Sequence, residues 1–262
     1  MKRFGLACIC ALLVAAPARA DITIKQSVAG KGLGMGAQTR TTTMIKGLKM
    51  RSEMVAGDTT RVTIFDVDTQ KMYALDTKKK EADVWDMQTF GTEMAKSVQV
   101  DQMTVKLEPN GQQKTVAGKS ADGYDLTIVV PSVIGGEKGM KMTVTLAGPM
   151  WIVKGAPGAA DWMAFYKGAV EKGWIFSDPR AAKGAPGQAK AMAEMYRQLA
   201  ATGGVAYEMD MTISLNGDGP MAGMMAKMGG VTMTTVTESV ETGAIDASQF
   251  AVPAGFKLNE RK

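Results

Sequence analysis

Four methionines crowd the stretch GDGPMAGMMAKMGG, residues 217–230: Met221, Met224, Met225 and Met228. Their i, i+3, i+4, i+7 spacing aligns all four thioethers on one helical face. Pro220 suits a first helical position, and Gly229-Gly230 suits the end. Gly223 weakens such a helix by ~1 kcal/mol relative to Ala. Two chemistries follow. Soft thioethers select Cu(I) or Ag(I), so the cluster is a candidate soft-metal site. Leaving four Met side chains in water also forfeits on the order of 6–12 kcal/mol of burial. The same stripe is therefore a candidate surface for the protein's own core, a lipid-like ligand or a partner. Methionines occur throughout the chain, 22 in all. That favours the second chemistry, with Met as the ordinary flexible gap-filler of this protein.

Other reactive residue types are scarce. The sequence has no histidine, and its two cysteines, Cys8 and Cys10, lie within the first twenty residues. Beyond Ala20 a Ser-His-Asp or Cys-His arrangement is excluded, as is a zinc site built on His and Cys. No Ser is followed three residues later by Lys, so the Ser-x-x-Lys hydrolase signature is missing. A carboxylate pair could cut a glycosidic bond, but nothing singles out one pair among 26 acidic residues. The expectation is a protein that is not an enzyme and carries no cofactor.

Three short motifs fail on spacing. GKGLGMG (30–36) lacks the G-x-G-x-x-G order of a dinucleotide site. GKS (118–120) needs a glycine at 113, where Gln113 stands. DVD (66–68) would continue a calcium loop with Asp or Asn at 70 and Gly at 71, but Gln70 and Lys71 follow. A hairpin turn is the reading for 66–71.

The segments that hold these residues begin with a targeting sequence. Lys2 and Arg3 precede an apolar run from Phe4 to Ala16, and Ala18-Arg19-Ala20 is a small-x-small cleavage site. Residues 1–20 read as a cleaved signal peptide and 21–262 as one exported domain. Cys8 lies too early in the apolar run for a lipid anchor, so the expected product is soluble and periplasmic. No later apolar stretch reaches the ~20 residues of a transmembrane helix. Cleavage removes three basic residues and no acidic ones, which leaves a net charge of +2. The sequence pI of about 9.1 is thus no argument for nucleic acid, which wants a concentrated basic face. Lys78-Lys79-Lys80 reads as a solvated turn.

Period-two alternation dominates the rest. It is clean at Met103, Val105 and Leu107, at Tyr124 to Val130, at Met140 to Leu146, and at Tyr207 to Leu215. Each run has one apolar and one polar face, as in an antiparallel sheet over a core. Turns are expected at AGD (56–58), PNG (109–111), ADG (121–123) and NGDG (216–219). Helical spacing appears at Met87, Phe90, Met94 and Val98. It recurs at Trp162, Phe165, Tyr166 and Ala169 before Gly173, and at Met192, Met195, Tyr196 and Leu199 before Gly203-Gly204. Barrel and sandwich both fit this pattern.

Several stretches together resemble a bacterial envelope family of unknown function related to LolA-like periplasmic carrier proteins. They are GLKMRSEM (47–54), TTRVTIFDVDTQKMYALDTKKKEADVWDM (59–87), KTVAGKSADGYDLTI (114–128), GPMWIV (148–153) and IDASQFAVPAGFK (245–257). Relatives often carry a cysteine near 121, where this chain has Ala121. The resemblance implies a mainly β, α+β fold: an unclosed antiparallel β-barrel whose concave face is partly covered by helices. It also implies acylated or lipid-like cargo. The leading expectation is reversible burial of an apolar ligand beneath a flexible lid, with Trp162, Phe165, Met221, Met224, Met225 and Met228 as candidate wall residues. A Met-rich soft-metal protein and an envelope interaction module are the alternatives.

Overall fold

The computed structural model describes residues 21–31, 38–96, 103–134, 140–174, 179, 186–217 and 230–261. The signal segment and the cluster Met221, Met224, Met225 and Met228 lie outside them. The described chain is mainly β. It begins with β1 (Ile22–Lys31), β2 (Thr39–Lys46), β3 (Lys49–Ala56), β4 (Thr59–Asp66), β5 (Lys71–Asp76) and β6 (Glu81–Asp86). After α1 (Met87–Lys96) come β7 (Thr104–Val116), β8 (Lys119–Ile134) and β9 (Met140–Lys154). Two helices follow, α2 (Ala159–Glu171) and α3 (Pro186–Ala201), and then β10 (Gly204–Gly217), β11 (Val231–Thr242) and β12 (Lys257–Arg261).

All twelve strands form one sheet, ordered β12-β6-β5-β4-β3-β2-β1-β11-β10-β9-β8-β7. Strands β12 and β7 are its edges, so the sheet is not closed. Neighbours are antiparallel except β12, which pairs parallel with β6. No helix among the described residues is long and apolar enough to cross a membrane.

The turns at 57–58, 67–70 and 77–80 fall where the Gly, Asp and Lys clusters place them. Two expected turns are instead strand. PNG (109–111) lies within β7, where the β7–β8 register shifts between Pro109 and Gln113. The bulge absorbs the extra residues, and the Asn110 side-chain amide donates to Asp125 Oδ1 at 2.9 Å. ADG (121–123) lies within β8, and the chain reverses at Ala117-Gly118. Gly123 is there for a close approach: a Cβ would come within 2.4 Å of Asn110 Oδ1 and 3.1 Å of the Trp151 ring. Turn-forming residues mark bulges and close contacts as well as reversals.

Strand β4 is buried on both faces. Phe65 belongs to the main core, which lies between the sheet and the helices. Val62 and Ile64 belong to a second core on the other face. Phe250, with Ile245, Val252 and Phe256 of the C-terminal segment, covers that second core. Asp246 starts this cover by accepting from the Ser248 N–H at 2.8 Å, ahead of a 3-10 turn at Ala247–Phe250. Strand β12 then docks on β6, with Arg261 paired to Asp83 at 2.7 Å.

The helices are pinned to the sheet at their ends. Gly158 precedes α2 with φ 68°, and a Cβ there would fall 2.8 Å from the Ile22 side chain. At the other end Lys172 Nζ donates to the Val67 carbonyl at 2.8 Å. Trp174 beyond it meets Phe65 with ring centroids 6.0 Å apart. Helix α3 is tied to edge strand β7 by Gln198 Nε2, which donates to the Val105 carbonyl at 2.9 Å.

Candidate functional site: a cavity between sheet and helices

Alternation and register together set the inner face of the sheet. Across the strands, Ile22, Ile45, Met50, Phe65, Met72 and Trp85 pair in one transverse ladder, apolar throughout. Two residues along, the ladder reads Ile24, Thr43, Ser52 and Thr63. Two further, it reads Gln26, Thr41, Met54 and Arg61. Each step is about 6.6 Å at 3.3 Å per residue. The inner face thus changes from apolar to mostly hydroxyl-bearing to a mixed rung that ends in one cation, Arg61, over about 13 Å.

A cavity of about 380 Å³ follows these ladders. Its far wall is helical: Trp162 and Tyr166 from α2, and Met195, Tyr196 and Leu199 from α3. Strand β10 contributes Val205, Ala206 and Met209. Trp162 and Tyr166 have ring centroids 4.4 Å apart at 45°, and Tyr166 stacks on Tyr196. The Tyr166 hydroxyl donates to Met50 Sδ at 3.7 Å, joining α2 to β3 beneath the cavity. Burial pushes the Tyr166 phenol well above its ordinary range, and the neighbouring Tyr196 phenol adds to the shift. Burial raises Tyr196 as well. Both are neutral at physiological pH. On the floor, Gln26 Nε2 donates to Thr237 Oγ1 at 3.1 Å, and the Thr237 hydroxyl donates to the Ala206 carbonyl at 3.1 Å.

Of the sequence-derived wall residues, Trp162 lines this cavity. Phe165 is fully buried and is not among its lining residues. It meets Tyr166 edge-on at 5.3 Å, behind the cavity wall. The four clustered methionines lie outside the described residues. Four others, Met50, Met54, Met195 and Met209, line the cavity instead. Tyr166, Met195, Tyr196 and Leu199 stand on the helical stripes of α2 and α3, but the sequence reading did not place them in the wall. Met54 and Arg61 carried no such signal, because only strand register brings them together. Among the described residues, no group of three or more His, Cys, Asp or Glu could hold a metal ion.

No protein-family model and no curated protein matches the chain. Among solved structures it is similar to PNGF-II, described in the C2 space group, at 10% sequence identity and a TM-score of 0.36. The match covers 92% of this chain and 31% of that one. At that similarity it carries no argument about fold or function.

Proposed function

We propose that this is an exported periplasmic protein that reversibly binds a lipid-like or other apolar ligand between its open sheet and helices α2 and α3, without covalent chemistry. The observation that carries the reading is the cavity of about 380 Å³ walled by Trp162, Tyr166, Phe65 and four methionines. That volume lies at the lower end of the ~300–1,000 Å³ usual for small-molecule sites. Flexible Met side chains let such a wall adapt to ligands of varied shape. An unclosed sheet with helices over one face also suits the LolA-like half-barrel that the sequence resemblance implies. The ends of α2 and α3 are held to the sheet by Lys172 and Gln198, and in this reading the ligand enters at the polar end of the cavity.

Native mass spectrometry of protein purified from the periplasm tests the reading. A mass surplus that organic solvent removes is expected. Met209→Trp, which puts a larger ring into the cavity, should abolish the surplus. Bare protein that also fails to take up added dodecanol would overturn the proposal. Depletion of Cu(I) from a competing chelator would instead favour the soft-metal alternative.

A further inference from the structure

The cavity is chemically polarised. Its deep end is aromatic and aliphatic, around Phe65, Trp162 and Leu199. Its other end is reached through Thr43, Ser52 and Thr63, and finishes at Arg61, an exposed residue. Among the described lining residues Arg61 is the one charged side chain, and no carboxylate joins it. No ion pair with a described residue engages Arg61. Acidic residues line an adjacent surface depression that Arg61 also borders. Two of them are already paired, Asp76 with Lys79 at 3.7 Å and Asp83 with Arg261 at 2.7 Å.

From this arrangement we infer that the ligand is a single-chain amphiphile with an anionic headgroup. The chain lies along the apolar ladder toward Trp162 and Phe65, and the headgroup sits at Arg61. The inference rests on the ligand-binding reading above and adds the ligand class. Three observations select it. A guanidinium presents a planar fork that matches the oxygens of a carboxylate or a phosphate. The hydroxyl ladder keeps the transition zone wet, which suits a headgroup and its hydration better than a second chain. The volume is small, and an amphiphile with two or three chains needs more room than about 380 Å³. A cationic amphiphile would put like charge beside Arg61.

Calorimetric titration of the mature protein with four twelve-carbon probes, each below its micellar concentration, tests this. The probes are dodecanoate, dodecyl phosphate, dodecanol and dodecylamine. One or both anions should bind about fivefold tighter than dodecanol, as expected for a solvent-exposed ion pair, and dodecylamine should bind weakest. Whichever anion is preferred identifies the headgroup as carboxylate or phosphate. Arg61→Gln should bring the anions down to the affinity of dodecanol, while Arg61→Lys should keep most of the preference. Arg61 is exposed and makes no ion pair with a described residue, so these variants should fold normally, and unchanged dodecanol affinity is the internal check. Equal affinity of the wild-type protein for anion and alcohol would overturn the inference and leave the ligand-binding reading standing. An anion preference that survives in Arg61→Gln would also overturn it. Binding of none of the four probes would overturn both.

Discussion

Tyr166 of α2 and Tyr196 of α3 stack face to face, with ring centroids 4.4 Å apart and planes 14° from parallel. The pair joins the two helices that roof the cavity, and Met50 Sδ anchors it to the sheet from below. An offset aromatic pair contributes about 0.5–1.5 kcal/mol beyond the area it buries. The stack therefore holds the wall in place as well as lining it.

The same pair makes stability sensitive to alkali. Burial raises the Tyr166 phenol well above its ordinary value of 10.0. Between the unfolded and folded pKa values the unfolded chain holds fewer protons, so stability is intact below about pH 10 and falls as pH rises from there. Tyr166→Phe should change stability at pH 7 by no more than about 1 kcal/mol. It should also make the decline above pH 10 shallower. Urea unfolding at intervals from pH 7 to 11 measures both. An unaltered alkaline slope in the variant would show that Tyr166 is not its source.

Acid should act at a different place. Asp66 ends β4 directly opposite Lys49, whose ammonium lies 2.9 Å from its carboxylate. The Thr69 N–H donates to the same side chain at 3.1 Å. Burial alone would push this carboxyl up, but the Lys49 and Thr69 hydrogen bonds outweigh it and hold the pKa below the ordinary value of 3.8. The stabilisation is therefore present above about pH 4 and is lost as pH falls through the lowered value. Lys49 is well exposed to solvent, which limits the pair's worth. Asp66→Asn should cost about 1–2 kcal/mol at pH 7 and flatten the acid limb of the stability curve. A steep acid limb in the variant would assign that loss to other carboxylates.

Gly158 sets where α2 begins. It has left-handed φ, and the Ile22 side chain fills the space a Cβ would need. Gly158→Ala should destabilise the protein by about 2–4 kcal/mol, combining the left-handed backbone cost with overpacking. The shift of α2 should also weaken dodecanol binding. In an Ile22→Ala background, which removes Cγ1 and Cδ1 from the obstructing side chain, the added penalty of Gly158→Ala should shrink. If the two substitutions are merely additive, the Ile22 contact is not what makes the glycine necessary.

The amino-acid sequence by itself determined the alternating strands, the three helical stripes and the absence of His and Cys chemistry beyond residue 20. Those depend on local spacing and residue type, which need no partner to be read. It also contained Trp162 and Tyr166 on one helical stripe, because i and i+4 face the same way. The tertiary structure decided which apolar residues are core and which are cavity wall. Phe165 and Tyr166 are sequence neighbours of similar character, yet Tyr166 lines the cavity and Phe165 does not. Their different directions acquire meaning only when α2 is laid across the sheet. The same holds for PNG and ADG, whose turn chemistry went into a bulge where β7 pairs with β8 and a close approach where β8 lies between β7 and β9. Arg61 is the sharpest case. Nothing near it in sequence distinguishes it from other exposed strand cations. Its place at one end of a ladder with Gln26, Thr41 and Met54 comes from pairing four strands in one register, a long-range arrangement with no local signature.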